Sequence, residues 1–311
     1  MTTALITHPA CLDHITPDGH PERVARLRAL LPALDGKDLL RVEAPRATDD
    51  DLCLAHPPTH VIAIEASAPE AGEVQLDADT FMSPGSLEAA LRAAGGAVKA
   101  VDLVMSGEAA NAFVACRPPG HHAEAEKPMG FCLFGNVAIA AKHALERHGL
   151  GRVAILDFDV HHGNGTQDLG QGDDRILFVS THQMPLYPGT GRPQDAGPHG
   201  TVTNIALPEG LDGAMYDKLM TGRILPRLRD FAPEMILLSA GFDAHADDPL
   251  AGIALVEEDF ARITRQVCDL AAEVCGGRVV SCLEGGYNTF ALAASGAAHV
   301  DELIAAGRRQ A

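Results

Sequence analysis

The sequence predicts an α/β fold in which a mostly parallel sheet lies between two layers of helices. Short apolar runs alternate with longer helical patterns from one end of the 311 residues to the other. Such alternation is typical of parallel sheets that helices cover on both faces. Because no proline- or serine-rich linker, repeat or low-complexity segment divides the chain, we expect a single domain over residues 1–311.

The candidate strands are short and largely apolar, as strands buried on both faces should be. They cover residues 4–7, 112–116, 153–157, 176–180, 202–206, 235–240 and 279–283. The helical patterns between them cover residues 21–34, 86–105, 136–148, 215–231, 257–275 and 289–306. Pro21 and Ser86 are expected at the starts of their helices, since both residue types favour a helix N-terminus.

The composition indicates a globular protein from a reducing compartment. Hydrophobic residues make up 46% of the chain, which is ample for a large core. The seven cysteines form an odd, scattered set without a Cys-x-x-Cys pair, which argues against a disulfide framework. The first residues do not resemble a signal peptide, and no stretch reaches the roughly 18 apolar residues that a membrane span needs. We therefore expect a soluble, cytoplasmic protein with no membrane partner.

The charge balance is strongly acidic, with a formal net charge of −18. Direct binding to duplex nucleic acid is not expected, because neutralising phosphates requires clustered lysines and arginines. An acidic protein favours a cationic substrate. The alternative is that the charge serves only solubility.

Candidate metal ligands lie in two segments, Leu156-Asp-Phe-Asp-Val-His-His-Gly-Asn-Gly165 and Ser239-Ala-Gly-Phe-Asp-Ala-His245. Asp159, His161 and Asp243 each follow an apolar run, and loops after such strands are where open α/β sheets bind ligands. Three protein ligands leave a coordination position for water or substrate, which distinguishes a catalytic zinc from a structural one. The pattern predicts a metallohydrolase. The alternative is a glycine-rich loop that only turns the chain.

Two further polar residues near these ligands are expected to orient other side chains. Asp157, Asp159 and His161 are spaced two apart, so an extended backbone would direct them to one side. Asp157 lies deepest in the apolar run, and a buried carboxylate must be paired. We therefore expect Asp157 to hold a histidine in place, and Asn164 to act in a similar way.

Two more strand-end loops carry groups suited to acid–base chemistry. The segment Arg117-Pro-Pro-Gly-His-His-Ala123 is a rigid turn that presents His121 and His122, and histidine titrates near neutral pH without help. After the last strand, a double glycine permits close backbone approach, and the hydroxyl of Tyr287 can donate to a developing oxyanion. Either motif alone is more typical of an ordinary loop, so their significance depends on the candidate metal ligands.

Taken together, these motifs resemble the zinc-dependent histone deacetylase family. The resemblance extends from the Gly19-His-Pro-Glu-Arg23 loop to Asn288, in the order of the family, and favours its class II and bacterial branch. Its remaining motifs are Gly130-Phe-Cys132, Gly241-Phe-Asp-Ala244, Asp248-Pro-Leu250 and Glu284-Gly-Gly-Tyr-Asn288. The resemblance implies a three-layer α/β/α fold related to arginase, with a mostly parallel sheet of about eight strands and residues 1–311 as one deacetylase-like catalytic domain.

The resemblance also implies roles for the residues of the site. Asp159, His161 and Asp243 would bind one zinc ion per chain. The tandem histidines would be supported from behind, with Asp157 at His121 and Asn164 at His122. Tyr287 would polarise the substrate carbonyl. Which histidine is the general base and which the general acid stays open, as does the identity of the metal in vivo, whether zinc, iron or cobalt.

A substrate tunnel and a second cation are implied in the same way. Phe131 and Tyr187 would form the two aromatic walls around an acyl-lysine stem, although many relatives have phenylalanine where this chain has Tyr187. The other expected substrate contacts are Gly130, Leu250 and Gly285. Similar proteins also bind potassium near the zinc, here through Asp157 and Ser180 with neighbouring main-chain carbonyls.

The resemblance implies a zinc-dependent amidohydrolase that removes acyl groups, acetyl above all, from N-acylated lysine in a peptide or protein or from a similar small N-acyl amine. An acetylpolyamine amidohydrolase is the alternative. Leu250 argues against it, because the polyamine-selective eukaryotic branch has glutamate there. Acyl-chain length and oligomeric state stay open.

Two more distant alternatives are a two-metal ureohydrolase and a catalytically silent acyl-lysine binding module. The first is suggested by Asp243-Ala-His-Ala-Asp247, which resembles an arginase segment. One metal per chain rather than two would distinguish a deacetylase from such a ureohydrolase. We expect His245 instead to line the loop or the rim of the site. A silent module should lack a ligand or the tyrosine, and none is missing from this sequence.

Overall fold

The structure, a computed structural model, describes residues 1–309. The strands in this range are β1 (Thr3–Thr7), β2 (Leu39–Glu43), β3 (Val74–Asp77), β4 (Thr80–Met82), β5 (Asn111–Val114), β6 (Val153–Asp157), β7 (Ile176–Gln183), β8 (Val202–Leu207), β9 (Met235–Ala240) and β10 (Val279–Leu283). Eight of them form one sheet in the order β2-β1-β5-β10-β9-β6-β7-β8, while β3 and β4 form a separate hairpin. Every pair in the large sheet is parallel, which confirms the predicted fold class.

Helices pack on both faces of the large sheet. They are α1 (Ala25–Ala33), α2 (Asp49–Leu52), α3 (Pro58–Ala66), α4 (Ser86–Ser106), α5 (Asn136–Glu146), α6 (Asn164–Gly170), α7 (Gly213–Leu219), α8 (Leu225–Phe231), α9 (Glu257–Val274) and α10 (Thr289–Arg309). One layer contains α1, α10, α9 and α8 in contact with one another, and the other contains α4, α5 and α6. None of the helices described in residues 1–309 is both long and apolar enough to cross a bilayer.

The sequence patterns missed β2, the β3–β4 hairpin and several short helices. In β2, an edge strand, the side chains are intermediate or exposed, so its apolar pattern is weak. The β3–β4 hairpin lies outside the large sheet. Short helices such as α2 and α6 contain too few residues for a helical period to be visible.

Two predicted helices differ from the structure. Helix α1 begins at Ala25, so Pro21 is not in its first turn, and the preceding segment instead carries Glu22 into the interior. The pattern over residues 215–231 is not one regular helix, because a π-helical turn, Met220–Ile224, separates α7 from α8. Pro226 follows this turn, and its missing N–H allows the hydrogen-bond ladder to change register there.

The strand order determines where the candidate site lies. Strands β5, β10, β9 and β6 are consecutive neighbours at the centre of the sheet, and all their residues are buried. Because these strands are parallel, the loops after them meet at one edge, where open α/β sheets bind ligands. The tandem histidines, the Gly-Gly-Tyr segment and both metal-ligand segments follow these four strands.

Candidate active site

The three predicted metal ligands converge at the carboxyl edge of the sheet. The Nδ1 atom of His161 lies 3.1 Å from Oδ1 of Asp159 and 3.1 Å from Oδ2 of Asp243. All three side chains are buried, and one ligand atom from each falls within 4.8 Å of the others. The structure therefore brings together residues that are more than eighty positions apart in the chain.

Main-chain amides hold the two carboxylates in place. Oδ1 of Asp243 accepts from the amide of Val160 at 2.9 Å, and Oδ2 of Asp159 accepts from the amide of Gly285 at 2.8 Å. A Cβ atom on Gly285 would overlap the carboxylates of both Asp243 and Asp159. Glycine is therefore required at this position, because the backbone must approach the ligands closely.

Burial and charge favour a cation between these groups. Burial, together with the charge of Asp159, raises the pKa of Asp243 to about 7. Two buried carboxylates this close repel each other unless a cation compensates them. Zinc ligands bind at about 2.0–2.2 Å, so neighbouring donors around one ion lie about 3.3 Å apart. The observed donor set and the 3.1 Å spacings fit a zinc ion with an open coordination position.

His121 is backed by a carboxylate. Its Nδ1 lies 3.0 Å from Oδ2 of Asp157, and its Nε2 lies 3.8 Å from Oδ1 of Asp159. Burial lowers the pKa of His121, but the charges of Asp159 and Asp157 outweigh burial and raise that pKa well above its usual value. These surroundings favour a protonated imidazole.

His122 is backed by an amide whose orientation is determined. Nδ2 of Asn164 donates to Oε1 of Glu124 at 2.7 Å, which leaves Oδ1 of Asn164 to accept from Nδ1 of His122 at 2.7 Å. The proton of a neutral His122 therefore resides on Nδ1, and Nε2 carries a free lone pair. Burial lowers the pKa of His122 well below its usual value, and the neighbouring charges of His121 and His161 lower it further.

A channel of about 200 Å³ leads to the metal ligands. His122 and His161 line it, whereas His121 does not. The remaining lining residues are Asp79, Gly130, Phe131, Leu186, Tyr187, Leu250 and Tyr287. The lining is mostly apolar, which suits an uncharged alkyl stem rather than a hydrated ion.

The two expected wall residues do line this channel. The ring of Phe131 meets that of Tyr287 edge to face with centroids 5.8 Å apart, and Tyr187 meets the ring of His122 at 5.2 Å. Tyr187 is 38% exposed, so it lies towards the mouth of the channel. Aromatic faces of this kind pack well against a methylene chain.

An unusual backbone holds Phe131 in position. Gly130 and Phe131 have positive φ values of 57° and 70°, a conformation that is costly for a phenylalanine. Their amides donate to Oδ1 of Asp79 and Oγ1 of Thr80, each at 3.0 Å, at the tip of the β3–β4 hairpin. A Cβ atom on Gly130 would collide with the imidazole of His122. The hairpin that the sequence did not predict therefore orients one wall of the channel.

Tyr287 projects into the channel from a tightly bonded turn. Its amide donates to Oδ2 of Asp248 at 2.7 Å, and the guanidinium of Arg26 lies 5.0 Å from its ring centroid. Burial, followed by the charge of Asp243, raises the pKa of Tyr287 well above its usual value. The phenol therefore stays protonated at neutral pH and can donate a hydrogen bond.

Ser180, expected near a potassium ion, and His245, expected at the loop or the rim of the site, are not among the residues that line the channel. Ser180 pairs with Asp157 in the β6–β7 register, but its hydroxyl bonds to Nδ1 of His182 at 2.9 Å. His245 does not line the rim as expected, because its ring is buried and stacks on Phe260 with an interplanar angle of 6°.

Sequence reasoning also missed a buried ionic group beneath the loops. Glu22 binds both Arg26 and Arg117, and all three side chains are fully buried. Arg26 also donates to the carbonyls of Gly286 and Glu284 and so supports the tyrosine turn. In the sequence, Arg117 stands out only as part of the Arg117-Pro-Pro-Gly-His-His-Ala123 motif. The available signal was a charged residue directly after the strand in residues 112–116.

Comparisons with known proteins found a matching family model, related sequences and a similar solved structure. A family model described as "Histone deacetylase domain" matches residues 20–303. A "Probable deacetylase" of Archaeoglobus fulgidus is 39% identical over 93% of this chain and 82% of its own length. A "Histone deacetylase-like amidohydrolase" of Pseudomonas aeruginosa is 41% identical over 91% of this chain and 76% of its own length. A crystal structure of the "HDA15 HD domain" superposes with a TM-score of 0.92 and 32% identity, covering 99% of this chain and 92% of the other.

Proposed function

Because this chain belongs to the histone deacetylase family, we propose that it is a zinc-dependent amidohydrolase that removes acetyl groups from N-acetylated lysine or a similar small N-acyl amine. The observation that carries the proposal is the position of Asp159, His161 and Asp243 at the base of a narrow, aromatic-walled channel. An extended alkyl chain fits such a channel with its amide at the metal ligands.

Asp159, His161 and Asp243 would hold the zinc ion. When bound, zinc lowers the pKa of a water molecule towards about 7 and polarises the substrate carbonyl. His122 is the general base in this proposal, because its ring lines the channel and Asn164 retains the proton on Nδ1, which leaves Nε2 unprotonated. Because Asn164, the partner of His122, is neutral, the imidazole of His122 can accept a proton.

Tyr287 and His121 would act on the charges that develop during the reaction. The Tyr287 hydroxyl donates to the carbonyl oxygen as that oxygen gains negative charge. His121, whose Nδ1 contacts Asp157, would contribute positive charge to the site when it is protonated. The departing amine then takes the proton that His122 accepted from water, since His122 is the histidine that lines the channel.

The substrate class follows from the walls and from the charge of the chain. Phe131 and Tyr187 would pack against the methylenes of a lysine stem. Asp79, the one carboxylate of the lining outside the metal group, would accept from an N–H of the substrate, and the net charge of −18 would attract cationic peptides. The apolar side chain of Leu250 in the lining favours acyl-lysine over a polyamine, whose stem carries additional charges.

The contacts of His245 argue against the hypothesis that the protein is a two-metal ureohydrolase. Its Nδ1 accepts from the amide of Asp247 at 3.0 Å, and the ring packs on Phe260 instead of joining the metal group. Asp247 itself is exposed. Within residues 1–309, the metal-binding group at the channel base consists of Asp159, His161 and Asp243, and neither His245 nor Asp247 belongs to it.

The test is a hydrolysis panel with zinc-loaded protein. The panel contains acetyl-lysine peptides, lysine peptides with longer acyl chains, acetylated polyamines and arginine. We expect acetyl-lysine peptides to be hydrolysed with the highest kcat/KM, chelation to abolish activity and zinc to restore it. Leu250→Glu, which adds a carboxylate to the channel, should raise the relative rate on acetylated polyamines. Binding of acetyl-lysine peptide without turnover, or release of urea from arginine, would contradict the proposal.

A further inference from the structure

A second convergence of metal-binding side chains lies on the helices, away from the channel. Asp102 belongs to α4, His143 to the last turn of α5, and His148 follows the end of that helix. The Nε2 atoms of both histidines lie 2.8 Å from the same oxygen, Oδ1 of Asp102. With the ligands of the channel, these residues are one of two such groups in residues 1–309.

The packing of α4 against α5 creates this arrangement. Because α5 ends at Glu146, the chain turns back and brings His148 beside His143, five positions earlier. The two imidazole rings are 5.3 Å apart and inclined by 72°, so they do not stack. Their Nε2 atoms point instead at one carboxylate.

The donor chemistry suits a divalent transition metal. Two imidazoles and one carboxylate are the ligands that zinc and its neighbours in the periodic table prefer, whereas magnesium and calcium prefer oxygen alone. Donors around one zinc lie about 3.3 Å apart, so the 2.8 Å spacings need to widen by only about half an ångström. Asp102 and His148 are partly exposed and can make that adjustment.

The exposure pattern resembles an open metal site. The side chain of His143 is only 9% exposed, whereas those of His148 and Asp102 are 25% and 41% exposed. A buried imidazole therefore anchors the group, and its outer face is open to water. Water would complete a four-coordinate shell around the three protein ligands.

We propose that Asp102, His143 and His148 form a second zinc site, which links α4 to α5. This site lies at the opposite edge of the sheet from the channel. The two sites lie at opposite ends of β6. His148 comes five residues before the first residue of this strand, whereas the metal-ligand loop follows its last residue. An ion there would be too remote to take part in hydrolysis. The ion would instead stabilise the packing of α4 against α5, because its ligands come from α4, from α5 and from the residues just after α5.

The experiment is a zinc titration by isothermal titration calorimetry, with the channel site disabled by Asp243→Asn. We expect one binding event per chain, which becomes at least tenfold weaker when His148→Ala is added. Zinc should also raise the Tm of the Asp243→Asn protein by about 3 °C, and not that of the double variant. His199→Ala, which removes an exposed histidine outside the group, is the control and should leave the titration unchanged.

Wild-type protein already loaded with one zinc provides an independent measurement. A second, weaker binding event is expected there and should disappear in His148→Asn, so the test does not depend on how well Asp243→Asn folds. Equal zinc binding with and without His148 would overturn the proposal, as would no second event in the loaded wild type. The group would then be only a carboxylate that accepts two imidazole hydrogen bonds. Neither readout uses hydrolysis, so failure here is distinct from failure of the proposed function.

Discussion

Oε2 of Glu284 accepts a hydrogen bond from the main-chain amide of His121, at 3.1 Å. The same oxygen accepts from the amide of Gly120 at 2.7 Å, and Oε1 lies 3.3 Å from the hydroxyl of Ser239. Glu284 begins the turn that carries Tyr287, whereas Gly120 and His121 belong to the tandem-histidine loop. One buried carboxylate therefore joins the loops that follow β10 and β5.

Loss of the Glu284 carboxylate should affect both stability and turnover. Glu284→Ala leaves two buried N–H groups without an acceptor, so we expect the free energy of unfolding to fall by about 3 kcal/mol in urea. Displacement of the histidine loop should lower kcat about 100-fold with little change in KM. Glu284→Gln keeps an acceptor oxygen and should retain most of both quantities. An unchanged kcat in Glu284→Ala would show that this bond does not position the loop.

The hydroxyl of Tyr287 should contribute to turnover and not to metal binding. Tyr287→Phe retains the ring that packs near Arg26 and Phe131 but removes the donor to the carbonyl oxygen. We expect kcat to fall by roughly two to three orders of magnitude. Elemental analysis should find the same zinc content as in the wild type. Near-normal turnover would remove Tyr287 from the mechanism.

Asp243 should be required for the metal of the channel. Asp243→Ala removes one of its three ligands, and we expect the purified variant to contain one zinc ion fewer per chain than the wild type. Asp247→Ala is the matched control, because Asp247 lies four positions away and is exposed. Its zinc content should be normal. Full zinc occupancy in Asp243→Ala would show that the ligand set is wrong, and loss of zinc in Asp247→Ala would favour the ureohydrolase alternative.

His299 should make folding sensitive to acid. The hydroxyl of Thr264 donates to the carbonyl of Phe260, so it accepts from Nδ1 of His299 at 2.7 Å, and Ser281 lies 2.9 Å from Nε2. The fully buried imidazole is thus satisfied in its neutral form, and burial lowers its pKa from 6.5 to about 3.

The sign of this pH dependence follows from proton binding. Between pH 6.5 and about 3 the unfolded chain binds more protons at His299 than the folded chain does. The stabilising contribution is therefore complete above pH 6.5 and declines by about 1.4 kcal/mol per pH unit as the pH falls towards 3. His299→Gln cannot titrate, so urea unfolding should show a correspondingly smaller pH slope. Equal slopes in both proteins would contradict the assignment, because the other buried histidines are common to them.

The sequence predicted the chemical groups of the site better than it predicted the residues that hold those groups in place. Asp159, His161 and Asp243 were recognisable because each follows an apolar run at a strand end. Glu284 stands out in the sequence only as part of a motif, although a carboxylate at the end of a buried strand needs a partner. That partner, the tandem-histidine loop, lies 164 positions away, and no local pattern links the two.

Local periodicity determined the class of fold, because alternating apolar strands and amphipathic helices are typical of a parallel sheet that is covered by helices. It did not determine the strand order. Only the tertiary structure makes β5, β10, β9 and β6 neighbours, and with them the loops that surround the channel. The contacts of Asp79 and Thr80 with the Phe131 loop, and the meeting of Asp102 with His143 and His148, likewise depend on packing between distant elements. Such contacts arise from burial of whole faces, which residue spacing along one segment does not encode.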